Sequence, residues 1–150
     1  MKKVLFLCTS NYDHSRFAEL LFNAVAIEQG LDWQASSRGL ATERGTHPIG
    51  SISPKVVKAL AARSISFPEE ERSRFPLQVR PVNFRVVNQI IALDKTEHRP
   101  LIKQKFPLWT DTVEYWSVKG MDESGSGDPQ PALKQIEQHI KQLLTTLRPS

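Results

Sequence analysis

Cys8 is the only cysteine in the chain. It closes an apolar run, Val4-Leu5-Phe6-Leu7, and is followed by Thr9-Ser10-Asn11-Tyr12-Asp13-His14 before a helical pattern begins at Ser15. A thiol where a buried strand hands over to a helix has a definite chemistry open to it. The backbone N–H groups of such a loop point into one concavity, and the helix N-terminus adds partial positive charge. A phosphate fits there, and a thiol beneath it tends toward thiolate. Thiolate under bound phosphate is a setting for phosphoryl transfer through a cysteinyl-phosphate intermediate. The competing reading is a small buried hydrophobe at the end of a strand. The residues around Cys8 weigh against it.

The elements that would hold this loop follow from apolar periodicity. Lys3 to Cys8 reads as a buried strand. From Ser15, the residues Phe17, Leu20, Leu21, Ala24 and Val25 share one helical face, and Gly30 ends it. Asp32 to Leu40 reads as a short strand followed by a glycine-containing turn. Ser53-Pro54 starts a helix carrying Val56, Val57, Leu60 and Ala61. Phe67 to Pro81, with three prolines, is loop or short helix. Val86 to Asp94 reads as a second buried strand, Thr96 to Phe106 as a helix, and Val113 to Val118 as a strand. Gly120 to Gly127 is an exposed loop. Asp128-Pro129 caps a last helix whose apolar face is Leu133, Ile136, Ile140, Leu143, Leu144 and Leu147. Alternating strand and helix argues for a three-layer α/β/α domain with a mainly parallel sheet, one domain over residues 1–150. Sites in such sheets lie at the carboxyl ends of the strands, where Cys8, Asp94 and the Gly120–Gly127 loop all fall.

Bulk composition excludes several classes. The 150 residues are 39% hydrophobic and 24% charged, which is globular rather than disordered composition. One cysteine allows no internal disulfide, and structural zinc would need mostly other ligands, so no metal or cofactor is expected. A reducing compartment, the cytoplasm, is the natural setting. The apolar run behind the opening Met-Lys-Lys is too short for a signal peptide, and nothing approaches a membrane span. The net charge of +4 mildly favours anionic partners. No basic helix face interleaved with aromatics points to nucleic acid.

"VLFLCTSNYDHSRFAELLF" resembles the phosphate-binding loop of the low-molecular-weight protein tyrosine phosphatases: a strand, Cys, five residues, Arg, Ser or Thr, then a helix often reading x-x-Ala-Glu. "ASSRGL", "SPKVVKALAARSI" and "IIALDKTEHRPLI" resemble that family's second strand, second helix, and third strand with its following helix. The resemblance covers most of the chain. It implies a four-stranded parallel sheet of the phosphotyrosine protein phosphatase I type. It implies Cys8 as nucleophile, Asn11 as the loop-shaping asparagine, and Ser15 as the hydroxyl bonded to the thiolate. Thr9 to Arg16 (Thr9, Ser10, Asn11, Tyr12, Asp13, His14, Ser15 and Arg16) would then surround the phosphate.

The chain departs from the pattern at several places. The family arginine falls on His14. Arginine grips two phosphoryl oxygens with a planar, permanently charged fork, whereas imidazole is shorter and only partly protonated near neutrality. Asp13 beside it would repel phosphate if it faced the pocket, and do less harm if it paired with His14. Arg16 is read either as a solvated first-turn residue or as a side chain reaching back over the pocket rim. Tyr12 would wall an aryl-sized slot, while Trp116 is read mainly as core. The family's general acid falls on Gly120. Asp122 is the nearest substitute. Asp128, in Asp-Pro, is the alternative acid, although its spacing to Leu133 favours a cap. Asp94 is expected to order loop backbone, and His98 and His139 to be ordinary surface residues.

The resemblance thus implies a phosphatase acting on phosphotyrosine, in a phosphorylated protein or a small aryl phosphate, with reduced activity. The alternative is a degraded relative, a pseudophosphatase that still holds phosphate or another oxyanion. Arsenate reduction, which related proteins perform on a similar fold, passes oxidation along further cysteines and would here need an external thiol.

Overall fold

The computed structural model describes residues 1–44, 50–119 and 128–148. Strands β1 (Lys2–Cys8), β2 (Trp33–Gly39), β3 (Gln89–Ala92) and β4 (Glu114–Tyr115) form a parallel sheet in the order β2-β1-β3-β4. Helices α1 (His14–Glu28), α2 (Pro54–Ala62) and α6 (Gln130–Leu147) accompany it, with α4 (Pro81–Arg85), α5 (Lys95–Lys105) and the short α3 (Glu69–Ser73). This is the three-layer α/β/α arrangement expected from the alternation.

The pleat of β1 divides the core. Val4, Phe6 and Cys8 point toward one layer, with Phe17, Leu21 and Phe22 of α1 and Leu133, Ile136 and Ile140 of α6. Leu5 and Leu7 point the other way, among Phe84 of α4, Leu101 and Ile102 of α5, and Val113. A strand buried on both faces has no polar face, which is why its sequence is a continuous apolar run. β1 lies between β2 and β3, so the chain leaves it in opposite directions. The crevice at such a reversal opens at the carboxyl end of the strand, and the residue there is Cys8.

Two strands are shorter than their apolar runs suggest. Val86 is the C-cap of α4 and 56% exposed, so the strand expected from Val86 begins only at Gln89. The ladder of the Val113–Val118 run is limited to Glu114 and Tyr115. Beyond it Trp116 N–H still reaches Ala92 O (2.9 Å), but Val118 N–H turns to the Asp94 carboxylate (3.3 Å). The Gly120–Gly127 loop lies outside the described residues. No described helix is long and apolar enough to cross a membrane.

Candidate active site

Cys8 ends β1 fully buried, and α1 begins six residues later. Its Sγ lies 2.9 Å from Ser15 Oγ and accepts the Asn11 N–H at 3.3 Å. Ser15 Oγ also accepts a bond from Asn11 Nδ2 (2.8 Å), which leaves its own proton available to an ionised sulfur. The sulfur therefore sits inside the turn of the loop, beneath the first turn of α1.

Asn11 fixes that turn. Its φ of +58° is left-handed, a region asparagine tolerates better than most side chains. Its amide nitrogen bonds Ser15 and Ser37 Oγ (3.0 Å), and its oxygen accepts from Arg74 (3.2 Å) and Leu77 N–H (3.0 Å). Ser37 donates to Glu19 (2.6 Å) and accepts from Arg74 (3.0 Å). Beneath it, Gly39 ends β2 with no room for a side chain. A Cβ there would stand 2.9 Å from Thr9 O and 3.1 Å from Asn11 Cβ.

Arg16 takes neither expected position. It is fully buried, neither solvated nor over the rim, and pairs with Glu19 (3.1 Å) and Glu71 (2.9 Å), with a further bond to the Glu71 carbonyl. With Arg74 paired to Glu19 (3.3 Å), these charges form one buried network behind the loop. A guanidinium removed from water is held by carboxylates, and this one is committed to them rather than to a ligand.

The other flank carries the departures. His14, 2% exposed, has Nδ1 2.8 Å from Asp13 Oδ1. The same oxygen accepts His14 N–H at 2.6 Å, so Asp13 pairs with His14 as the less harmful expectation had it. Burial pushes the Asp13 carboxyl up, but the bonds from His14 and its charge outweigh that and hold it below its ordinary value. Thr9 Oγ1 donates to Glu97 (3.1 Å) on α5. Tyr12 is half-buried, and its carbonyl accepts the N–H of Ser53, tying the loop to the head of α2. Ser10 is buried beside it.

His98 is not a surface residue. It is fully buried, with Nδ1 accepting the Asp94 N–H (3.0 Å). Among the described residues its Nε2 has no hydrogen-bond partner. Burial, with the neighbouring charge of His14, lowers its pKa to about 3. Leu101 and Ile102, three and four positions on, share its face of α5 and were the available signal for its burial. His139 is half-buried, stacked on Trp116 (4.7 Å between ring centres), and Trp116 is core as expected. Asp94 orders backbone: it caps α5 through Glu97 N–H (3.2 Å) and binds Val118 N–H. Asp128 accepts the Gln130 N–H (3.1 Å) at the head of α6, the work of a cap. Gly120 and Asp122 lie outside the described residues.

Ser37, Arg74 and Gly39 were missed by the reading of the loop alone. The small residues Ala35, Ser37 and Gly39, alternating along β2, were the available signal for the first and last. Nothing local marks Arg74, which arrives from a segment with little regular structure.

A search of curated proteins found no match. Among solved structures, the chain is similar to YfkJ from Bacillus subtilis (23% identity over 97% of this chain and 94% of that one, TM-score 0.79). It is also similar to SP-PTP, a low molecular weight protein tyrosine phosphatase from Streptococcus pyogenes (18% identity over 100% and 95%, TM-score 0.75). A third likeness is to the YwlE arginine phosphatase from Geobacillus stearothermophilus (20% identity over 98% and 93%, TM-score 0.71). At these identities the likeness is one of fold. The family model for low molecular weight phosphotyrosine protein phosphatases matches residues 3–150, nearly the whole chain. With the cysteine loop set at the sheet's point of reversal, the conclusion is that this chain belongs to the low molecular weight phosphotyrosine protein phosphatase family.

Proposed function

We propose that the protein hydrolyses phosphotyrosine or a small aryl phosphate through a phosphocysteine at Cys8, at a rate limited by its grip on the phosphoryl group. The observation that carries this reading is the bonding around the sulfur. Asn11 N–H and Ser15 Oγ both stand on Cys8 Sγ, a setting a purely structural cysteine does not need. An ionised sulfur accepts from both donors and attacks phosphorus in line. The phosphoryl group passes to sulfur as the P–O bond to the leaving aryl oxygen breaks. Asp122 is the acid that protonates this oxygen, and it then takes a proton from the water that releases phosphate and returns the thiolate. His14 stands where a permanently charged fork serves the family, and Tyr12 flanks the aryl group. Thr9 to Arg16 provide the backbone around the phosphate.

The test is hydrolysis of an aryl phosphate by wild-type protein and Cys8→Ser between pH 5 and pH 8. Activity in the wild type that the variant lacks supports the reading. Equal rates end it.

A second reading, an oxyanion-binding module without turnover, is favoured by the close contact of Asp13 with His14, which sets a carboxylate against the imidazole at the arginine position. It expects phosphate binding in calorimetry together with no Cys8-dependent hydrolysis.

A further inference from the structure

The Asp13 carboxylate holds two groups that a phosphate in the loop would use. Its Oδ1 takes the His14 N–H at 2.6 Å, and the His14 Nδ1 lies at 2.8 Å from the same oxygen. The first is the leading N–H of α1, whose N-terminus carries the helix's partial positive charge. The second belongs to the imidazole that stands at the arginine position of the resemblance. An ordinary cap accepts from the second or third N–H of a helix. Asp13 accepts from the first and has the imidazole nitrogen close beside the same oxygen, and its side chain is only 24% exposed.

We infer that Asp13 is a built-in anion that competes with phosphate for the helix end of the loop. This rests on the reading of the loop as a phosphate site. A phosphoryl group docks only when the carboxylate swings out, so the apparent affinity falls by the fraction of molecules in which it has done so. Once displaced, the carboxylate still stands beside the ligand as a like charge. The loop thus retains the family's shape while its own acidic residue sets how tightly an oxyanion is held.

The experiment is titration calorimetry of the full chain with inorganic phosphate at fixed pH and ionic strength, for wild type, Asp13→Asn and Asp13→Ser. Asparagine and serine are both good N-caps, so either variant keeps the start of α1 while removing the charge. The expected result is phosphate binding about tenfold tighter than wild type in both variants. Affinity that is unchanged overturns the inference. Weaker affinity also overturns it, and would show that Asp13 serves by keeping His14 charged. If one variant does not fold, as judged by its urea transition, the other decides. Absence of binding in all three proteins likewise overturns it, whereas the nucleophilic reading of Cys8 stands or falls separately on the Cys8→Ser assay.

Discussion

The two flanks of the cysteine loop are built differently. On the Asn11 flank the polar side chains are cross-linked: Asn11 meets Ser15, Ser37, Arg74 and Leu77, and behind them Glu19, Arg16 and Glu71 close a largely buried ionic network, with Arg16 Nε the nitrogen that finds no hydrogen-bond partner among the described residues. On the His14 flank an imidazole leans on the carboxylate next to it in sequence, and a second histidine is buried with Nε2 3.8 Å from the Glu97 carboxylate, beyond hydrogen-bond reach. The first flank over-determines the shape of the loop. The second carries His14, where the resemblance expects arginine, and on the proposed reading it is the side that grips a ligand. Geometry and grip are therefore held by separate sets of side chains, and one can drift while the other stays.

The largest expected effect tests the claim that the Asn11 flank is held by its ionic network. Arg16→Ala removes a fully buried guanidinium and leaves Glu19 and Glu71 to share Arg74 as their counter-charge. It is expected to cost about 3–5 kcal/mol in urea unfolding. A loss below about 1 kcal/mol, the size of an exposed pair, would show that the network is dispensable. The next test acts on the other flank. His14→Arg restores a bidentate fork, and aryl phosphate hydrolysis is expected to rise by about 10²–10³-fold. No gain would mean that grip is not what limits this site. Asn11→Gly keeps the left-handed turn but removes its side-chain bonds, at an expected cost of about 2–3 kcal/mol in urea unfolding. Asn11→Ala should cost about 1 kcal/mol more, because alanine adds strain at positive φ. Equal losses in the two variants would show that the turn itself is unstrained.

The same division explains what the sequence disclosed. The Val4–Leu7 run, the face of α1 and the Ser53-Pro54 start are local signals, and each element stands where its pattern put it. The grouping of Cys8 with Asn11 and Ser15 followed from the resemblance, since all three lie in one loop, whereas the full burial of the thiol belonged to the competing reading. Arg16 was misplaced although Glu19 lies one helical turn on, because its second partner Glu71 is 55 positions away and only tertiary folding brings that carboxylate to it. A lone arginine after a loop looks like a solvated residue until that partner is known. His98 was misplaced for a related reason. On α5 its sequence neighbours are polar, but it shares the buried face of Leu101 and Ile102, and its Nδ1 takes the Asp94 N–H. Gly39 is required by the close approach of Thr9 and Asn11, contacts between separate strands and loops that periodicity does not encode.

His98 also gives the smallest expected effect, and it distinguishes the flanks by pH. Its pKa is lowered from 6.5 to about 3, first by burial and then by the charge of His14. Below pH 6.5 the unfolded chain takes up a proton at His98 that the native state refuses until about pH 3, so the unfolded state binds more protons in that window. Stability attributable to His98 is therefore complete above pH 6.5 and declines as the pH falls. Between pH 6.5 and pH 5 the decline should be about 1–2 kcal/mol. His98→Leu removes the titrating group and leaves the Asp94 N–H without its acceptor, a cost that does not depend on pH. The measurement is therefore a slope and not a level: urea unfolding of both proteins at several pH values between 5 and 7.5. The wild-type curve should fall toward acid more steeply than that of the leucine variant. Parallel curves would mean that His98 takes up its proton in the folded protein as readily as in the unfolded chain, and that the His14 flank is open to water in a way its buried imidazoles do not suggest.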